Sequence, residues 1–388
     1  MQNSKKSWLN YNILYNIIGL ITNNGILFVI FERSGNKMAK TKNETQQSYG
    51  NESISKLKGA DRVRKRPAVI FGSDGLEGCE HSIFEIISNS IDEAREGYGN
   101  KIVVTRFLDK SIEVQDFGRG IPVDYNKKED CYNWELVFCD LYAGGKYNTN
   151  DGGSYEFSLG LNGLGLCATQ YASEYMEAEI HTGGYCYELS FKSGEIDGDM
   201  KKTPYDKKDT GSRIKWRPDL KVFTDIDVPL EYFQDVLKRQ SVVNAGVKFI
   251  LKNQLTETKF ETTEILYENG IKDYVDNFCG EEAFTTTQLW QTEKKGRDRE
   301  DKPEYKVKIN AALSFSNQVQ LKEYYHNSSW LEYGGAPEKA VRNAFVYQID
   351  AYIKQQNKYT RNESKITFQD VEECMALVVS SFSTLTSY

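Results

Sequence analysis

Glu85 and Asn89 stand four residues apart in the run from Cys79 to Gly97, C-E-H-S-I-F-E-I-I-S-N-S-I-D-E-A-R-E-G. Wound as an α-helix at ~100° per residue, this run puts His81, Glu85, Asn89 and Asp92 in one narrow stripe, with Ile83, Ile87, Ile91 and Ala94 opposite. A carboxylate in such a stripe can take a proton from water, and an amide oxygen one turn further on can sit on a hard cation such as Mg²⁺. The pair suits hydrolysis of a metal-bound phosphate. A polar stripe that simply faces solvent has the same pattern, so other stretches have to decide between the two readings.

A second group of residues could receive a flat heterocycle. Ser111 to Gln115 alternates like a strand and runs into Asp116-Phe117-Gly118-Arg119-Gly120-Ile121-Pro122. Asp116 at the rim of a sheet would accept a hydrogen bond from an exocyclic amine, Gly118 and Gly120 would allow close approach, and Ile121 and Pro122 would pack on the ring. A plain β-turn is the ordinary alternative. Further along, Ser158-Leu159-Gly160-Leu161-Asn162-Gly163-Leu164-Gly165 opens a helix expected over Leu166 to Tyr175. Glycines there aim backbone N–H groups at an anion, helped by the helix dipole. Lys146 starts a polar, glycine-rich stretch, Tyr147 to Phe157, that suits a mobile lid, and adds a positive charge. Thr210-Gly211-Ser212 sets small hydroxyls beside a glycine, as a second contact for a base would need and as a strand start would also show.

These motifs need a scaffold, and the chain is long enough for one. Its 388 residues, 39% hydrophobic and 13% aromatic, can build two packed domains. A net charge of −7, from 56 acids and 49 bases, excludes whole-chain attraction to nucleic acid and leaves only a local patch for it. The seven cysteines are an odd number without a C-x-x-C pair, which points to reduced thiols in a cytoplasm and away from structural zinc. Asn12, Asn16, Asn23 and Asn24 break the apolar stretch Tyr11 to Phe31, and no small-residue cleavage site follows it, so neither a signal nor an anchor is read there. Translation is expected to start at Met38, with a polar arm from 39 to 59 containing Tyr49. The turn Asp61 to Pro67 is basic and consistent with a solvated edge.

Strands are expected at Lys101 to Leu108, Ser111 to Gln115, Met176 to Phe191, Gly211 to Arg217 and Val247 to Leu251, and helices at Trp134 to Tyr142 and Leu230 to Gln240. A polar break at Asn253 to Thr258 is read as the domain boundary. Beyond it, a helix start at Gly270, a hairpin tip at Glu293 to Pro303, a strand from Tyr305 to Asn317, a long helix from Ala336 to Gln355 and a buried strand from Glu373 to Phe382 make a β-α-β crossover. The chain then divides into a poorly ordered tail (1–47), a first domain (48–254) and a second (255–388).

Taken together, Glu85-x3-Asn89, Asp116-x-Gly118-Arg119-Gly120-Ile121-Pro122, Ala143-Gly144-Gly145-Lys146, Gly160-Leu161-x-Gly163-x-Gly165 and Thr210-Gly211-Ser212 resemble, in order and spacing, the ATPase half of bacterial type IIA topoisomerase B subunits, the gyrase B and topoisomerase IV B proteins. The resemblance covers roughly Tyr49 to Tyr388 and implies an α+β fold: a GHKL (Bergerat) ATP-binding sandwich of mixed sheet and helices, then an S5-like transducer domain. It implies Glu85 as general base, His81 as the residue that orients it, Asn89 as Mg²⁺ ligand and Asp116 as adenine-amine acceptor. Gly120, Ile121, Pro122 and Ser212 would line the adenine pocket. Tyr155 would be a lid contact, Lys146 with Gly160, Leu161, Asn162, Gly163, Leu164 and Gly165 the phosphate cradle, and Tyr49 part of an arm reaching the partner's nucleotide. Phe117 and Asn162 depart from the family's usual polar residue and histidine, so altered affinity is expected.

The implied activity is that of an ATP-hydrolysing clamp whose closure as a homodimer captures double-stranded DNA in the cytoplasm, together with a topoisomerase A subunit. The family's Gln-Thr-Lys loop follows the strand resembling Ser380 to Tyr388, just past the last residue here, and Gln291-Thr292-Glu293-Lys294 is a decoy expected on a hairpin. Two other readings follow: a nucleotide-gated dimerisation module with little hydrolysis, and a MutL-like or Hsp90-like GHKL ATPase. Single-turnover hydrolysis separates the first from the clamp, and client protection against DNA-stimulated ATPase separates the second.

Overall fold

In the computed structural model, which describes residues 56–143, 159, 163–297, 299–302 and 304–384, the chain enters through two short helices, α1 (Asp61–Arg64) and α2 (Pro67–Phe71). The basic turn is therefore not just a solvated edge. Arg64 is a tie: it forms an ion pair with Asp219 and donates to the backbone carbonyl of Tyr171 at 2.9 Å. The long helix α3 spans Leu76–Arg95, starting earlier than the expected run because extended Gly75 supplies the break. Before it, the Asp74 carbonyl accepts the Thr224 N–H. Ile83, Ile87 and Ile91 are fully buried, each worth ~1.5–3 kcal/mol on leaving water.

The strands and helices that follow are β1 (Lys101–Arg106), β2 (Ile112–Asp116), the small pair β3 (Tyr125–Asn126) and β4 (Cys131–Tyr132), and helices α4 (Asn133–Cys139) and α5 (Gly165–Tyr171). Next come β5 (Ser173–Thr182), β6 (Tyr185–Lys192), β7 (Glu195–Ile196), β8 (Lys201–Pro204), β9 (Gly211–Pro218), α6 (Leu230–Val243), β10 (Lys248–Gln254) and β11 (Phe260–Ile265). The helix expected to Tyr175 stops at Tyr171, because Tyr175 and Met176 already pair with Arg217 and Trp216. Sheet pairing overrides local propensity there.

These strands form one sheet in the order β11-β10-β1-β2-β9-β5-β6-β7, with β8 paired to β6. Only β1 and β10 run parallel; every other neighbouring pair is antiparallel. Alternation makes the sheet one-sided: Met176, Ala178 and Ile180 of β5 and Tyr187, Leu189 and Phe191 of β6 are buried, in one core with the α3 isoleucines and with Phe233 and Leu237 of α6. On the opposite face Arg213 pairs with both Glu113 and Glu179. The polar stretch 253–258, read above as an interdomain break, is the end of β10 and the turn that follows it into β11, so the sheet continues to Ile265.

A second sheet is built from β12 (Gln288–Gly296), β13 (Tyr305–Phe315), β14 (Leu321–His326), β15 (Ser329–Trp330) and β16 (Met375–Ser383), in the order β12-β13-β16-β14-β15. Helix α7 (Ile271–Cys279) precedes it, and α8 (Gly335–Gln355) and α9 (Phe368–Glu372) lie between β15 and β16. All nine residues of β16 are buried because both faces are covered. Ala376 and Val378 pack with Ile271 and Val275 of α7; Leu377 and Val379 pack with Phe345 and Ile349 of α8 and Phe368 of α9. The strand expected to open the crossover, Tyr305 to Asn317, instead runs antiparallel to β16, and the parallel partner that a strand–long helix–strand crossover requires is β14, a short strand not expected from the sequence. Helix α6 serves both cores, since Val242 packs with the α7 side of this second sheet. No helix among the described residues is long and apolar enough to cross a membrane.

Candidate active site

Helix α3 carries the first half of the site. Glu85 Oε1 lies 3.2 Å from His81 Nε2, one turn earlier. The other ring nitrogen, Nδ1, is 3.2 Å from the carbonyl oxygen of Phe71 at the end of α2. A carbonyl only accepts, so Nδ1 carries a hydrogen, and Nε2 meets the carboxylate favourably only when it is protonated too. The Glu85 bond accordingly raises the His81 pKa above its ordinary 6.5, against the opposing effect of burial. The opposite side of Glu85 is covered by the first turn of α5. A Cβ on Gly165 would stand 2.0 Å from Glu85 Oε2, so only glycine lets the backbone lie against this carboxylate. One turn beyond, Asn89 Nδ2 donates to the Glu85 carbonyl at 3.1 Å, which orients the side-chain amide.

The stripe is not uniformly open to water. Asp92 is 1% exposed, and its Oδ1 accepts the backbone N–H of Leu159 at 2.8 Å. Asp92 thus anchors the chain on its way to α5.

The second half of the site is the end of β2. Asp116 Oδ1 accepts the N–H groups of Gly118 at 3.0 Å and Ser212 at 3.3 Å, while Oδ2 accepts the Ser90 hydroxyl at 3.1 Å. Burial raises the Asp116 pKa from its ordinary value, and these three donors work against that rise. Ser212 Oγ in turn accepts the Ile121 N–H at 3.1 Å, and Thr210 donates to the Gly118 carbonyl. Gly120 sits at φ +82°, a left-handed backbone, and a Cβ there would meet the His181 carbonyl oxygen at 2.7 Å. A crevice of about 220 Å³ opens beside this strand end, but Glu179 and Arg213 of the sheet face away from α3 line it together with Asp116 and Ser212, and Glu85, Asn89, Gly120 and Ile121 do not.

Structure therefore gathers His81, Glu85 and Asn89 along α3, with Gly165 against Glu85, and gathers Asp116, Gly120, Ile121 and Ser212 at the adjoining strand ends. The two groups are joined by Ser90, one residue after Asn89. Gly163 and Leu164 lead directly into α5, with the Gly163 carbonyl accepting the Tyr142 N–H at 3.1 Å. Pro122 follows Ile121 into the turn before β3. Tyr49, Lys146, Tyr155, Gly160, Leu161 and Asn162 lie outside the described residues. Sequence reasoning missed the Ser90 bond and a bidentate pair in which Arg119 donates to Glu93 Oε2 at 3.0 Å and Oε1 at 2.9 Å. The Arg119 guanidinium also lies 3.8 Å from the Tyr98 ring centroid. The only sequence signal for either contact was the presence of Ser90, Glu93 and Arg119 inside the motifs.

The DNA gyrase B family profile matches residues 270–388. The DNA gyrase B protein of Mycoplasmoides gallisepticum is 30% identical over 342 residues, 87% of this chain and 52% of the relative. The DNA topoisomerase 4 B protein of Staphylococcus aureus is 31% identical over 340 residues, 86% of this chain and 49% of the relative. The topoisomerase IV ATP-binding domain of Francisella tularensis, solved with a small-molecule inhibitor, superposes with a TM-score of 0.61 at 27% identity, covering 84% of this chain and 82% of that one. Over most of its length the chain is similar to type IIA topoisomerase B subunits, and over residues 270–388 it matches the DNA gyrase B family. A 43K ATPase domain of Thermus thermophilus gyrase B, in complex with an aminocoumarin, shares the fold with a TM-score of 0.64 at 23% identity, over 84% of this chain and 81% of that one.

This chain spans about half the length of the topoisomerase B proteins it matches, 52% and 49% for the two above. Its first sheet with α3, α5 and α6 is the GHKL layer, and the second sheet with its β14-α8-β16 crossover is the transducer. Phe117, which departs from the family's usual polar residue, has the Lys101 ammonium 3.9 Å from its ring centroid. The Gln291 to Lys294 run lies in β12, an exposed edge strand of the transducer sheet, and the hairpin tip expected from Glu293 begins only after Gly296.

Proposed function

We propose that this chain is the ATP-binding and ATP-hydrolysing clamp of a type IIA topoisomerase, using nucleotide-driven closure of a homodimer to capture and pass a DNA duplex. The reading rests on one observation above all: α3 carries a carboxylate backed by a histidine, and five residues along the same helix Ser90 donates to the carboxylate at the end of β2. Asp116 Oδ2 accepts the adenine amino group beside the Ser90 hydroxyl, with Gly120, Ile121, Pro122 and Ser212 around the ring. Glu85 takes the proton of the attacking water, and His81 holds the carboxylate in position.

Magnesium would be held by the Asn89 amide oxygen, with the nucleotide's phosphate oxygens and water completing its shell. No group of three or more His, Cys, Asp or Glu side chains gathers as a metal site among the described residues, which suits an ion that relies on substrate phosphates for ligands. When bound, it would neutralise phosphate charge as the bond to the leaving oxygen weakens. Gly160, Leu161, Asn162, Gly163, Leu164 and Gly165 are assigned to the phosphates together with Lys146, Tyr155 to a contact over the nucleotide, and Tyr49 to the partner subunit's site. We assign the ATPase domain to residues 48–265, moving its end to the close of β11, and the transducer to the remainder. A topoisomerase A subunit and double-stranded DNA are the partners, and the cytoplasm is the compartment.

Steady-state hydrolysis, paired with nucleotide binding, tests the proposal. Glu85→Ala is expected to bind ATP with near-parental affinity and to lose about 10²–10⁴-fold in turnover, the range of a general base; chelating magnesium is expected to abolish turnover in the parent. Parental turnover in Glu85→Ala would remove the assignment of the base.

A further inference from the structure

Helix α5 is held at both ends, and the end away from Glu85 is held by a residue that the ATPase reading does not use. Tyr171 is the last residue of α5. Arg64 Nη1 donates to the Tyr171 carbonyl at 2.9 Å and to the Ser173 carbonyl at 3.4 Å, and Nη2 pairs with the Asp219 carboxylate just past β9. Between those two carbonyls, that of Ala172 accepts the Asp219 N–H at 3.0 Å. Three successive carbonyls at the end of α5 are therefore taken by one arginine–aspartate pair, with the cation at the negative end of the helix dipole. Asp219 is itself fixed, since its Oδ1 accepts the Lys221 N–H at 2.8 Å. The Arg64 and Asp219 side chains are only 15% and 7% exposed, so water competes little for these bonds.

The other end of α5 is Gly165, where a Cβ would stand 2.0 Å from Glu85 Oε2. Midway, the Thr169 hydroxyl donates to the Ser82 carbonyl of α3 at 3.0 Å. Seven residues make a rod ~10 Å long without an internal proline, which moves as one piece. Resting on α3 at Thr169, the rod meets Glu85 at an angle set by what holds its far end.

We propose that Arg64 is a positioning residue for the Glu85 carboxylate: by clamping the last carbonyls of α5 to Asp219, it keeps Gly165 pressed against Oε2. Without the guanidinium, the Tyr171 and Ser173 carbonyls lose their donor and Asp219 loses its cation. Helix α5 then tilts about Thr169, and the carboxylate is no longer confined on that side. The consequence for turnover rests on the ATPase reading; the placement of Glu85 does not.

Two readouts in the full chain test this. The first needs no nucleotide: the NMR resonance of the Glu85 carboxyl carbon, in chain labelled at that carbon of glutamate and identified by its loss in Glu85→Gln. Arg64→Met, which keeps the stem and drops the donors, is expected to shift it, while Leu377→Ala, which loosens the second sheet, leaves it in place. The second readout is turnover per folded molecule. Arg64→Met is expected to lower kcat about tenfold, and to slow Gly165→Ala no further when the two are combined, since both act through one contact. Arg64→Lys keeps a charge for Asp219 without the fork for the carbonyls; it is expected to shift the same resonance by less, and it decides the matter should Arg64→Met not fold. An unmoved Glu85 resonance, a loss in kcat that multiplies with that of Gly165→Ala, or parental kcat with only a lower urea midpoint would overturn the proposal. Absence of turnover in the parent would instead sink the ATPase reading, and the Glu85 resonance would still decide the role of Arg64.

Discussion

At the scale of residues, the site is governed by which oxygen or nitrogen is already taken. Asp116 Oδ1 receives two backbone N–H groups, while among the described residues Oδ2 has only the Ser90 hydroxyl, which leaves that oxygen as the one to meet an exocyclic amine. His81 is fixed at Nδ1 by the Phe71 carbonyl, so its second proton serves Glu85. The sign of the pH effect follows. Because the folded pKa is raised above 6.5, chiefly by Glu85, the His81–Glu85 bond is fully present below that value and is lost as pH rises through the raised one. Turnover is expected to decline across that window in the parent. His81→Gln should be several-fold slower at neutral pH and show no such decline, as a kcat–pH profile would establish; an unchanged bend in the variant would assign it to another group.

Elements decide where those atoms stand, and here the sequence was only partly legible. The isoleucine period of Ile83, Ile87 and Ile91 marked α3 and its buried face, and the alternation in β2, β5 and β6 marked the strands. Asp92 could not be read as buried from its place in the polar stripe, since its partner, the Leu159 N–H, arrives from 67 residues away. The short run Ala68 to Phe71 is too brief to show a helical period, yet α2 supplies the carbonyl that fixes His81. The polar stretch 253–258 looked like a linker because hairpin turns and linkers use the same residues.

Two substitutions test the elements. Gly165→Ala places a methyl group where Glu85 Oε2 now lies; it should preserve the fold by circular dichroism while cutting turnover by at least about tenfold, since base geometry within ~1 Å matters. Leu377→Ala, on the α8 side of β16, opens a cavity at a 2% exposed position and should cost ~2–5 kcal/mol of unfolding free energy in a urea titration. A change under ~0.5 kcal/mol would mean that this face is not closely packed.

At the scale of the molecule, the two sheets meet through shared elements instead of a linker. Helix α6 gives Phe233 and Leu237 to one core and Val242 to the other, Gln240 donates to the Ser328 carbonyl at 3.0 Å, and Arg95 lies over Phe382. Such a joint lets a change at the nucleotide reach the transducer without unfolding either part. The central claim is that Glu85 on α3 and Asp116 at the end of β2 belong to one adenine-nucleotide site. Isothermal titration of the chain with non-hydrolysable ATP and GTP analogues, each with magnesium, tests this most directly. Guanine presents a carbonyl oxygen where adenine presents its amino group, and two acceptors facing one another repel. Binding of the adenine analogue with a preference of at least about 10²-fold over the guanine analogue is the expected result; equal affinity for the two, or heat from neither, would contradict it.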